Sequence, residues 1–77
     1  RAQTTLQQLE EQIGAASRPP TAEDISELQG CSTPFNEPQP GETAHIWRKD
    51  NGDSWLIAYV GADGYVTALV NSKKLKR

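Results

Sequence analysis

His45-Ile46-Trp47-Arg48-Lys49, Ser54-Trp55-Leu56-Ile57-Ala58-Tyr59-Val60 and Tyr65-Val66-Thr67-Ala68-Leu69-Val70 are three apolar runs separated by two short polar breaks. The first break is Asp50-Asn51-Gly52-Asp53, the second Gly61-Ala62-Asp63-Gly64. An Asn-Gly pair between β-formers is a strong hairpin signal, because both central residues of the turn need positive φ. Centred on Asn51-Gly52, the first hairpin pairs Trp47 with Leu56, Ile46 with Ile57 and Arg48 with Trp55. In the second, Ala62-Asp63-Gly64 fits a three-residue loop with Gly64 left-handed in a bulge. That pairs Val60 with Val66, Ala58 with Ala68, Leu56 with Val70 and Ile57 with Leu69. The stretch predicts a three-stranded antiparallel meander.

Upstream, Gln3 to Ser17 reads as a helix. Leu6, Leu9 and Ile13 recur at helical spacing, while Gln7, Gln8, Glu10, Glu11 and Gln12 fill the other face, and Thr4 or Thr5 can cap its start. Arg18-Pro19-Pro20 stops it, since the residue before a proline is pushed out of the α region. Thr21 can cap a second helix from Ala22 to about Gln29, with Glu23 and Asp24 at the positive end of its dipole. Ile25 and Leu28 are its apolar pair, and Gly30 suits its end. The prolines and Gly41 make 31–43 a loop, with Phe35 as its anchor to the core. The expected fold is α+β: two N-terminal helices packed on one face of a three-stranded antiparallel β-meander. The segments are 1–20 helix and Pro linker, 21–30 helix, 31–43 Pro-rich loop, 44–70 meander and 71–77 basic tail.

Size allows one domain only: 77 residues, 35% of them apolar. That fraction is thin beside the roughly 45–50% usual on a count that includes Gly. A partner, a dimer or a larger parent protein is therefore expected to supplement the core. The 8 basic and 10 acidic residues sum to a net charge of −2, which argues against a nucleic-acid partner. Lys73, Lys74, Lys76 and Arg77 form the one cationic cluster, an alternative contact for nucleic acid or for the anionic surface of a membrane. No apolar run is long enough to span a bilayer and no signal peptide is present. The chain opens at Arg1 rather than at a methionine, which reads as the middle of a longer sequence. Cys31 stands alone, so an intrachain disulfide is excluded and a small buried hydrophobe is the expected role.

The strand pairing above divides the sheet into two apolar faces. Trp47, Leu56, Ala58, Val60, Val66, Ala68 and Val70 share one; Ile46, Trp55, Ile57, Tyr59, Thr67 and Leu69 share the other, with Arg48 at its edge. A sheet wetted on one side should alternate apolar with polar, and this one does not. Leu6, Leu9, Ile13, Ile25, Leu28 and Phe35 amount to about one layer of cover. Placed on the first face, they leave Ile46, Trp55, Ile57, Tyr59 and Leu69 outward as a protein-contact patch, with Arg48 on its rim. The alternative splits the helices between the faces or folds the Pro-rich loop over the second.

No catalytic motif, metal-ligand cluster or cofactor signature is legible. His45 stands near Glu42 at a strand start; Asp50 and Asp53 flank a turn and lack further oxygen ligands for a cation. Glu10 with Glu11, and Glu23 with Asp24, read as exposed helix turns. The residues therefore point to a non-catalytic protein–protein interaction or assembly module, self-association into a homodimer included, and the basic tail to the alternative.

Thr21, Ile25, Leu28 and Gly30, then Ile46-Trp47, then Leu56 to Val60 with Asp63-Gly64-Tyr65-Val66, resemble the small lipoprotein domains of the BamE/SmpA kind. The resemblance covers Thr21 to Val70. It implies an extracytoplasmic, for instance periplasmic, scaffold that binds a partner protein and has no active site. The chain departs from that pattern in having no lipobox, a longer first helix, and Cys31-Ser32-Thr33 before its next proline, Pro34.

Overall fold

Thr5 and Thr21 start the two helices by the same device, a reciprocal cap that satisfies two orphan N–H groups at once. In the computed structural model, which describes residues 3–49 and 52–75, α1 runs Leu6–Ile13 and α2 runs Ala22–Leu28. The Thr5 hydroxyl accepts from Gln8 N at 3.2 Å while Gln8 Oε1 accepts from Thr5 N at 3.0 Å. At α2, Thr21 Oγ1 accepts from Asp24 N at 3.2 Å, and Asp24 Oδ2 accepts from Thr21 N at 2.9 Å. α1 ends earlier than the apolar spacing predicts. Gly14 terminates it, its N–H closing on Glu10 O at 2.8 Å, and Ala15 to Ser17 form a non-helical linker.

β1 (Thr43–Lys49), β2 (Ser54–Val60) and β3 (Val66–Lys73) form one antiparallel sheet in the order β1-β2-β3. The first hairpin pairs Ile46 with Ile57, Trp47 with Leu56 and Arg48 with Trp55, as the turn position predicts. Asp50 and Asn51 lie outside the described residues; Gly52 has φ +87°. In the second hairpin Gly61 N donates to Tyr65 O at 2.9 Å, which closes the three-residue loop, and Gly64 takes φ +88°. Those two glycines occupy the left-handed conformation that a side chain would strain.

Beyond Val60–Val66 the expected register fails by one residue. Tyr59 pairs with Ala68, Ala58 with Leu69, Ile57 with Val70 and Leu56 with Asn71. Thr67 is the extra residue, and its hydroxyl donates to Glu42 Oε2 at 2.7 Å while lying 3.1 Å from Tyr59 O. A bulge inverts the facing of everything after it. Val66 consequently packs with the α1 cluster and Val70 with the α2 cluster, on opposite sides of the sheet.

The fold class is α+β with both helices preceding the strands, but the helices do not share a face. α1 lays Leu6, Leu9 and Ile13 on Trp47, Leu56 and Ala58. α2 and the Pro-rich loop lay Ile25, Leu28, Cys31 and Phe35 on Ile46, Trp55, Ile57 and Tyr59. Geometry explains why one short helix suffices on each side. Three strands span about 10 Å between outer axes, close to the diameter of a helix with its side chains. Phe35 pins the loop as its composition predicts, stacked on Tyr59 with centroids 6.3 Å apart. Asn36 closes the contact by donating its N–H to Tyr59 Oη (3.3 Å) and accepting from it through its carbonyl (2.7 Å). Cys31 is buried in the same cluster.

Candidate functional site

The face expected to meet a partner is core. Ile46, Trp55 and Ile57 are at most 1% exposed and Tyr59 is 8% exposed, so none of the four offers surface to another molecule. Arg48 is exposed but committed within the molecule: Nη2 lies 3.0 Å from Glu27 Oε1, and its guanidinium stands 4.9 Å over the Trp55 ring. It closes the edge of the α2 cluster. Leu69, at 49% exposure, is the one apolar member of the expected patch that is not buried, and the bulge moves it to the α1 side.

Carboxylates and hydroxyls gather where the sequence showed no constellation. Glu10 Oε2 accepts from Ser17 N at 2.8 Å and Ser17 Oγ at 2.7 Å, and these bonds hold the Glu10 carboxyl below its ordinary range. Ser17 Oγ lies 3.4 Å from His45 Nδ1, and His45 Nε2 lies 3.1 Å from Thr43 Oγ1. The order of contacts is wrong for an activated nucleophile. The serine proton goes to the glutamate, whereas a triad needs the carboxylate behind the histidine. Glu42, expected near His45, instead takes the Thr67 hydroxyl and Gln39 N. Asp24 is also not on an exposed turn: it is buried, and the Arg18 guanidinium beside it holds its carboxyl far below the usual carboxylate range, aided by Thr21. Arg18 reaches Asp24 through both nitrogens. Among the described residues no three His, Cys, Asp or Glu side chains converge to hold a metal ion.

The sheet edges separate covered from open surface. On β1, Arg18 N donates to Ile46 O at 3.2 Å and Arg18 O accepts from Ile46 N at 2.8 Å, and Pro19 and Pro20 then end the pairing because they lack N–H groups. On β3 both ends are covered. Val66 N donates to Thr4 O at 2.7 Å; at the far end Ser32 N donates to Lys73 O at 2.8 Å and Ser32 Oγ accepts from Lys73 N at 3.2 Å. Lys73 therefore directs its main-chain groups away from β2. Antiparallel alternation makes Asn71 and Leu69 do the same, and among the described residues nothing receives them. Beside this open middle lies a groove of about 370 Å³ between α1 and β3, lined by Gln3, Thr4, Leu9, Gln12, Val66 and Leu69.

Two cations of the expected basic cluster stand at the C-terminal end of β3. Lys73 and Lys74 are exposed and take no salt bridge among the described residues; Lys76 and Arg77 lie outside those residues. A larger depression of about 450 Å³ lies between the prolines and the loop, floored by Ile25, Phe35 and Ala44. Its floor is the α2 core itself, and one of its acids, Glu42, is already engaged. Alternation alone could have pointed to β3 as an edge strand; the cover at its two ends comes from segments remote in sequence. No helix of the described residues is long and apolar enough to cross a membrane. Compared with known proteins, the chain matches no family model, no curated protein and no solved structure.

Proposed function

We propose that this domain is a non-catalytic protein–protein interaction module whose contact surface is the outer edge of β3 around Leu69. The observation that carries the reading is the contrast between the two outer strands. β1 has its middle engaged by Arg18 at Ile46, whereas in the middle of β3 the N–H and C=O groups of Leu69 and Asn71 meet no partner among the described residues, beside a half-exposed leucine. Native proteins blunt such edges unless a partner uses them. A scaffold of this kind agrees with what the BamE/SmpA resemblance implies. The sheet face holding Trp55 has no part in it.

The test is site-directed photocrosslinking in cells that make the protein, with the reactive side chain placed in turn at Gln12, Leu69, Asn71 and Ser26. The reading expects one discrete protein adduct from the first three positions and none from Ser26, on the exposed side of α2. If no position yields an adduct, or Ser26 yields the same one, the reading falls.

A further inference from the structure

The two brackets on β3 restrict what can pair with it. Thr4 sits against Val66 and Ser32 against Lys73, leaving residues 68–71 open, a length of about 13 Å at 3.3 Å per residue. A second copy does not fit there. Two β3 strands paired antiparallel about a two-fold axis would drive Val66 and Lys73 of each copy into the space that Thr4, Ser32 and Thr33 hold. A short extended segment that leaves the sheet at either end meets no such obstacle. Both brackets run antiparallel to β3, as the Thr5–Tyr65 and Cys31–Lys74 pairings show. A strand between them in the same direction continues their line.

The groove and Lys73 define its side chains. Leu69, Asn71 and Lys73 share the α1 side of the sheet, so the segment residue opposite Leu69 on that side lies over the apolar wall made by Leu9, Val66 and Leu69. In an antiparallel segment the N-terminal end lies toward Lys73 and Lys74. Neither takes a salt bridge among the described residues; an acidic side chain there, on the α1 side, complements Lys73, while alternation places Lys74 on the other side of the sheet.

From these observations we infer that the open middle of β3 binds an extended segment of a partner protein by antiparallel strand addition, with an apolar side chain in the α1–β3 groove and an acidic residue preceding it beside Lys73. Main-chain bonds to Leu69 and Asn71 supply the pairing, and the groove and Lys73 supply the selectivity. The inference rests on the interaction-module reading and names its partner's chemistry.

A phage-displayed library of short linear peptides, selected on the intact chain, tests it. Enriched peptides are expected to carry an acid followed by alternating β-branched or apolar residues. Their binding should weaken about tenfold or more in Leu69→Lys and in Asn71→Pro, equivalent to about 1.4 kcal/mol. Asn71→Pro removes an outward N–H that no described residue uses, a substitution an edge strand tolerates. Leu69→Lys alters a half-exposed side chain, so at least one of the two keeps the fold; circular dichroism identifies which. Failure to enrich any peptide overturns the inference, as does enrichment of Pro-rich peptides or of peptides indifferent to both variants. Crosslinking from Leu69 to a protein, with no peptide enriched, would leave the interaction reading standing and strand addition refuted.

Discussion

Trp47 and Trp55 face opposite sides of one sheet, and their polar ends are treated differently. Trp47 Nε1 donates to Ala15 O at 2.9 Å and thereby ties the linker after α1 to β1. Trp55 Nε1 is buried with no acceptor among the described residues, beneath the Arg48 guanidinium. At 1% exposure Trp55 is a core residue, so Trp55→Ala is expected to cost about 3–5 kcal/mol or to abolish cooperative folding. Trp55→Phe forfeits no hydrogen bond and should cost less than half as much. Leu69→Ala should stay within about 1 kcal/mol of the parent, because half of that side chain already meets water. Urea denaturation of the three variants measures all of this. A Trp55→Ala loss as small as that of Leu69→Ala would place the indole at the surface.

α2 depends on a cap that reaches outside the helix. Asp24 accepts from the Thr21 N–H and hydroxyl and from Arg18, whose main chain is paired with Ile46, so one carboxylate joins helix, linker and β1. Because folding depresses its pKa, the unfolded chain binds its proton more tightly. The stabilisation is therefore complete above the unfolded value, about 3.9, and is lost as pH falls below it. Asp24→Asn is expected to cost about 1–3 kcal/mol at pH 7 and to flatten the decline in stability below pH ~4. Urea midpoints measured from neutral to acid pH test this; parallel acid limbs for parent and variant would contradict it. α1 is as necessary to its own side. Removing residues 1–14 uncovers Trp47, Leu56 and Val66, and the truncated chain is expected to bind anilinonaphthalene sulfonate and to associate. A truncated chain that stays monomeric and unfolds cooperatively would show that α1 is dispensable cover.

Across the whole molecule, the cover is two thin layers rather than one complete one. Counting apolar side chains against two greasy sheet faces suggests that one must remain bare. The count treats cover as area to be shared out, while a sheet of only three strands is narrow enough for one short helix per side. With both faces covered and the ends of β3 bracketed, the chain has no room to pair its β3 with that of a second copy. It is expected to sediment as an 8.5 kDa monomer at micromolar concentration. A stable dimer in sedimentation velocity would refute the steric argument at β3.

Much of this architecture is legible in residue order, because it depends on neighbours a few positions apart. The Thr5 and Thr21 caps, the β1–β2 register about Gly52 and the Gly64 loop all follow from local conformational preference. Periodicity also marks Leu9 and Leu28 as buried without saying where they are buried. Tertiary structure decided the rest. The Thr67 bulge is held by Glu42 and by the Tyr59 carbonyl, the Asp24 carboxylate is held by Arg18, and the ends of β3 are closed by Thr4 and Ser32. Each of those contacts joins segments whose proximity exists only after the chain has folded, so no spacing along the sequence could encode which face, or which edge, is left to water.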